Sequence, residues 1–196
     1  MLQTALALVA AYLIGAIPFG VVLTRLTGVG DVRASGSGNI GATNVYRTFG
    51  RRLGLLTLAM DALKGLVPVL LAGSLLDFSP PQVAMVAAAA FLGHCYPIYL
   101  GFKGGKGVAT ALGIYLVLSP LSVLGALLLF AGILWRWRYV SLASVSAAAA
   151  IPLLVGVFER SWPLVVATLF ISVMVIVRHR ANIERLRNGT ESKFKA

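Results

Sequence analysis

Apolar stretches recur from one end of this chain to the other, each close to the roughly 20 residues an α-helix needs to cross a bilayer. The first reads LQTALALVAAYLIGAIPFGVVLTR and the last WPLVVATLFISVMVIV. No other feature restricts the fold as strongly, because backbone in hydrocarbon must satisfy its polar groups internally, as helix or closed barrel. Stretches this long select helix. Composition agrees: of 196 residues, 59% are hydrophobic and 12% charged, whereas a soluble domain carries about a quarter charged residues. The expected fold is an all-α polytopic membrane protein, one integral membrane domain over 1–196. The N-terminal stretch lacks a basic leader and is too long for a signal-peptide core, so it reads as a retained first helix.

Spans are expected at about 2–25, 53–76, 82–100, 107–119, 121–135, 140–158 and 162–178. The fourth and fifth are short, and 107–135 could instead be one helix kinked at Pro120. Charge chooses between these. With seven spans and the N-terminus outside, one side receives Arg25, Arg33, Arg47, Arg51, Arg52, Lys103, Lys106, Arg136 and Arg138. The same side takes the tail residues Arg178, Arg180, Arg185, Arg187, Lys193 and Lys195. The other side holds only Arg160, beside Asp77 and Glu159. A single kinked helix would export the six basic residues of the tail, against the positive-inside rule. Seven spans, N-terminus outside and C-terminus cytoplasmic, is the expectation.

The net charge of +11 lies in short clusters between apolar spans, a pattern of membrane topology and anionic ligands, with nucleic acid excluded as a partner. Cys95 is the single cysteine, so neither an intrachain disulfide nor a thiolate metal cluster is available. Every polar, glycine-rich segment falls on the expected cytoplasmic side: 33–52, 94–110, 139–144 and 178–191. Their convergence on one membrane face points to one site.

The segment SGSGNIGATNVYR, from Ser35, contains G-x-G-x-x-G. A dinucleotide site needs a strand before the first glycine and a βαβ unit around it. Here the loop joins two membrane helices, so that reading fails. The physics survives: glycines let backbone N–H groups approach an anion closely. Ser35, Ser37, Asn39, Thr43 and Asn44 add donors, and Arg47 adds a guanidinium suited to phosphate. The bland alternative is a flexible polar linker.

GHCYPIYLGFKGGKGVAT, from Gly93 to Thr110, resembles a P-loop but places Gly107 where Ser or Thr should follow Lys106. Lys103 and Lys106 among Gly104, Gly105 and Gly107 still form a cationic nest before a helix. The alternative is a positive-inside hairpin. His94 lacks any metal-ligand spacing and reads as a satisfied interfacial histidine. In RHRANIERLRNGTE, His179 and Asn182 are three apart and share a face if the helix continues. His179 could serve as a base or as a phosphate donor. Ser141 and Ser144 could add hydroxyls, although small residues in membrane helices often serve packing. Asp61 and Lys64 are expected to pair inside the second span. With donors and cations throughout, and no nucleophile–base pair, the inventory suits phosphorylated, lipidic ligands at a cytoplasmic face.

These three segments, in this order and in a chain of this length, resemble the three motifs of the bacterial membrane-integral glycerol-3-phosphate acyltransferases, the PlsY type. The resemblance covers essentially the whole chain. It implies transfer of a fatty acyl group from acyl phosphate to the sn-1 hydroxyl of glycerol 3-phosphate, giving lysophosphatidic acid and inorganic phosphate. This is the first acylation of phospholipid synthesis, independent of acyl-CoA and acyl carrier protein. It implies catalytic roles for Arg47, Lys106, His179 and Asn182. Substrate binding falls to Ser37, Asn39, Thr43, Asn44, Gly104, Gly105 and Gly107, with Ser144 from RYVSLAS, while Glu191 is structural. No cofactor or metal is implied. The bacterial cytoplasmic (inner) membrane is the implied location, with transient contact to the soluble enzyme that makes acyl phosphate. Direct single-step transfer is expected, because acyl phosphate already carries a good leaving group. The rival is a membrane transporter of phosphate or an organophosphate, for which no inverted repeat is evident. A CDP-alcohol phosphotransferase would need a carboxylate-rich metal site, which six scattered acidic residues do not supply.

Overall fold

Each apolar stretch folds as helix, and several of the breaks fall where the sequence supplies proline, glycine or a cap. The computed structural model describes residues 1–194; Lys195, counted above in the basic tail, lies outside the described residues. Among these the chain forms α1 (Leu2–Ala16), α2 (Phe19–Leu26), α3 (Ala42–Phe49), α4 (Arg51–Ser74) and α5 (Pro80–Cys95). There follow α6 (Val108–Leu118), α7 (Pro120–Trp137), α8 (Val140–Glu159), α9 (Trp162–Arg178) and α10 (Arg180–Arg187). No strand occurs among the described residues.

The ends have local causes. α5 opens at Ser79–Pro80–Pro81–Gln82, where the Gln82 Oε1 accepts the Ser79 N–H at 3.0 Å, half of a capping box. Ser119, between α6 and α7, has φ −159° and ψ 76°. The residue before a proline is pushed out of the helical region, so 107–135 is two helices and not one kinked helix. α1 and α2 meet at a 46° bend over Ile17–Pro18, and α9 and α10 at a 54° bend over His179.

Four helices are long and apolar enough to cross a membrane, and up to six spans result if each bent pair counts as one. α6 is the short one. Its 11 residues rise about 16 Å, roughly half the thickness of a hydrocarbon core. Many large apolar side chains point outward, among them Leu128, Leu153, Val157, Trp162 and Val173, as a hydrocarbon surrounding requires.

The chain divides into two compact units, Met1–Val117 and the part from Leu118 onward. In the first, α1 lies along α5, and α4 packs on both. A core of Val21, Val32, Ile40 and Val45, with Phe49, Leu53 and Leu100 against it, seats the loop between α2 and α3. In the second, α7, α8 and α9 pack in succession, and α10 returns to α8.

Candidate active site

The first glycine loop is built around one amide. Asn44, in the first turn of α3, is 5% exposed. Its Oδ1 accepts the Ser37 N–H at 2.9 Å. Its Nδ2 donates to the carbonyls of Asn39 (2.9 Å), Ser35 (3.0 Å) and Val32 (3.3 Å). The side chain therefore closes the loop on itself. Asn39 Oδ1 accepts the Gly41 N–H at 2.9 Å, a local turn that leads into α3. Below it Asp31 accepts from Arg33 at 2.6 Å and from Arg25 at 2.7 Å. The Arg33 bonds, with Arg25 adding to them, outweigh the cost of burial and hold the Asp31 carboxyl well below the usual range. Ser37 and Arg47 stand exposed on this scaffold and Thr43 is half-buried. The loop is an ordered platform and not a loose linker.

The second loop is pressed onto the end of α5. The Gly105 N–H donates to the His94 carbonyl at 3.2 Å. A Cβ at Gly105 would run into the His94 ring, and one at Gly104 into the His94 and Cys95 carbonyls. Gly107 has φ +80° and an added Cβ would run into the Phe91 ring, so only glycine fills the position without strain. Lys106 is half-buried just before α6, and Lys103 is exposed. His94, read from sequence as interfacial, is 3% exposed. Its Nδ1 stands 3.8 Å from Asp61, which pairs with Lys64 at 2.8 Å.

The second unit holds the remaining residues. His179 caps α9 and begins α10, and its ring Nδ1 lies 2.7 Å from the Val175 carbonyl. A carbonyl only accepts, so Nδ1 carries a proton and donates it to Val175. The helix does not continue straight, yet the Asn182 N–H still bonds the His179 carbonyl at 2.8 Å, so the two residues stay one turn apart. Glu191 then ties the tail to two helices, α8 and α10: its Oε1 accepts from Ser141 at 2.6 Å and Asn182 at 2.7 Å, and its Oε2 from Arg185 Nε at 2.7 Å. Burial works against the charge, but the bonds from Ser141, Asn182 and Arg185 outweigh it and hold the Glu191 carboxyl below its usual range. The Phe194 N–H reaches the Arg138 carbonyl at 2.6 Å, strapping the tail across the start of α8. Ser144 is buried one turn beyond Ser141; Ser141 is the serine that bonds Glu191. No group of three His, Cys, Asp or Glu stands together to hold a metal among the described residues.

Both platforms offer glycines, amides and cations, the chemistry of phosphate. The model of the family described as "Glycerol-3-phosphate acyltransferase" matches residues 5–189. The chain belongs to the glycerol-3-phosphate acyltransferase family. Proteins of that name from Syntrophotalea carbinolica and Geobacter sulfurreducens are 68% and 62% identical to it, over 96% and 100% of both chains respectively. The crystal structure of PlsY (YgiH), "an integral membrane glycerol 3-phosphate acyltransferase", in its glycerol 3-phosphate form is 41% identical. It covers 98% of this chain and 96% of its own, with a TM-score of 0.93. A lysophosphatidic acid form of that protein superposes with a TM-score of 0.91. PlsY, an integral membrane protein, and this chain share the all-helical fold described above.

Sequence reasoning placed the loops but not their internal wiring. Asn44 is bonded to loop backbone, Glu191 is a hub, and Asp61, Lys64 and His94 lie together under the second loop. Only dense glycine and charge signalled these segments; no local pattern reveals which side chain closes them.

Proposed function

We propose that this protein transfers a fatty acyl group from acyl phosphate to the sn-1 hydroxyl of glycerol 3-phosphate, releasing lysophosphatidic acid and inorganic phosphate. The observation that carries the reading is the full-length likeness to an acyltransferase solved with glycerol 3-phosphate and with lysophosphatidic acid. Lys106 and the Gly104–Gly107 nest take the phosphate of glycerol 3-phosphate. Ser37, Asn39, Thr43 and Arg47 bind head groups on the platform that Asn44 orders. In the second unit His179 and Asn182 are the activity-linked residues, Asn182 oriented by Glu191, and Ser144 is a substrate-binding residue.

The step is direct. The sn-1 oxygen attacks the acyl carbon, the bond from that carbon to the phosphate oxygen breaks, and phosphate leaves. The hydroxyl proton passes to substrate phosphate, with His179 Nε2 as the alternative acceptor. Cations and amides bring two anions together and stabilise the oxyanion, and such proximity is worth on the order of 7 kcal/mol or more. The acyl chain lies among apolar helices in the bacterial cytoplasmic membrane, and the polar segments face the cytoplasm, where the enzyme that makes acyl phosphate would deliver it. In this reading α6 adds a short seventh crossing to the six, and the basic tail stays inside as the positive-inside rule asks.

The test uses purified protein in lipid with palmitoyl phosphate and glycerol 3-phosphate, and palmitoyl-CoA as a parallel donor. Matched release of lysophosphatidic acid and phosphate from palmitoyl phosphate alone is expected. Turnover from palmitoyl-CoA would overturn the donor, and a trapped acyl-enzyme the single step. Binding of glycerol 3-phosphate without turnover would favour the transporter.

A further inference from the structure

The Asp61–Lys64 pair is more than local neutralisation within α4. Both side chains are almost wholly buried, and Lys64 Nζ lies 2.8 Å from Asp61 Oδ1. Lys64 also donates to the Ile17 carbonyl at 2.7 Å and sits 5.8 Å from the centre of the Phe19 ring. Ile17 is where α1 ends, and Pro18 after it has no N–H to continue a helix. The ammonium thus caps the α1–α2 bend from a neighbouring helix.

The same Asp61 Oδ1 that meets Lys64 lies 3.8 Å from His94 Nδ1 of α5. His94 supplies the carbonyl that holds Gly105 at 3.2 Å and the ring on which Gly105 rests. The same stretch of α4 touches the far end of the loop. A Cβ on Gly65 would strike the Thr110 carbonyl of α6, and one on Gly113 of α6 would strike the Ala62 carbonyl. Residues 61–65 of α4 therefore bracket the loop, through His94 before it and through α6 after it. A buried ion pair adds little stability over well-packed apolar residues, so stability alone does not account for this placement.

We propose that Asp61 and Lys64 are positioning residues: the buried pair holds α5 and α6 in the register that shapes the Gly104–Gly107 nest, and so sets the affinity for glycerol 3-phosphate. The proposal rests on the reading that this nest takes the phosphate of glycerol 3-phosphate. Neither residue touches substrate.

The experiment compares wild type, Asp61→Asn/Lys64→Met and Lys106→Ala. The double variant removes both charges together, so neither is left buried alone. We expect its KM for glycerol 3-phosphate to rise about tenfold or more, as misplacement of a binding loop does, with KM for palmitoyl phosphate within about twofold. Cys95, fully buried beside His94, is a built-in reporter: its alkylation by iodoacetamide should quicken in the double variant. Coupling is reciprocal, so glycerol 3-phosphate should slow that alkylation in the wild-type protein, a measurement that needs no variant to fold. An unchanged KM and alkylation rate in the double variant, or no protection of wild-type Cys95 by glycerol 3-phosphate, overturns the proposal. Lys106→Ala separates the two readings. If it leaves KM for glycerol 3-phosphate unchanged, the nest is not the phosphate site and both readings fall. If it raises that KM while the double variant does not, only the positioning role falls.

Discussion

Truncating Glu191 tests the second unit's polar network most directly. Glu191→Ala removes the acceptor of two buried donors, Ser141 at 2.6 Å and Asn182 at 2.7 Å. Hydrogen bonds to a charged group are worth about 1.5–3 kcal/mol each, so these two together contribute roughly 3–6 kcal/mol. The Arg185 bond adds little, because its guanidinium is 42% exposed and an exposed pair is worth about 0–1 kcal/mol. By the scaling for a chain this long, 1 kcal/mol is about 2–4 °C, so thermal unfolding in detergent should fall by roughly 6–24 °C. Glu191→Gln keeps a neutral acceptor and should lose about half as much. Turnover should fall in the same order, because Asn182 loses its orientation. The pH dependence has a definite sign. The folded Glu191 carboxyl titrates below its ordinary value, so its contribution is complete above the ordinary glutamate range and disappears as pH falls through the folded value. The gap between wild type and Glu191→Gln should stay constant from about pH 6 to 8 and close only in acid. Unfolding temperature and turnover in Glu191→Ala equal to wild type would refute the network's role.

Three further outcomes are expected. Asn44→Ala should cost about 2–3 kcal/mol and speed proteolysis within 33–41, since one buried amide holds four backbone partners; unchanged proteolysis would mean the loop orders itself. Gly107→Ala, at φ +80° against the Phe91 ring, should destabilise by about 1–3 kcal/mol and lower kcat/KM for glycerol 3-phosphate. A Gly107→Ala protein with wild-type kinetics would refute the close packing of that loop. His179→Gln should lower turnover while keeping the wild-type shape of the pH profile, because substrate phosphate takes the proton. A wild-type profile that rises through the histidine range and becomes flat in His179→Gln would instead assign the proton to Nε2.

Solvent and local backbone chemistry govern the part of this protein that is legible along the chain. A bilayer admits long apolar stretches only as helices, so the class was legible; Pro120 left a kink or a break open, and loop charge chose the break that Ser119 makes. Dense glycine with Lys103, Lys106 and Arg47 marked the phosphate-suited loops, since few other uses need those residues together. The bend at His179 was not legible, because nothing in RHRAN breaks a helix outright. Nor did hydropathy alone settle how many helices cross, with α6 only 11 residues long. The rest depended on tertiary structure for a physical reason: its partners are far apart along the chain. Lys64 meets Ile17 across 47 positions and Ser141 meets Glu191 across 50, while the amide of Asn44 finds Val32 12 residues back. Hydrogen bonds of this span depend on the path of the backbone between them, and that path is set by how the helices pack.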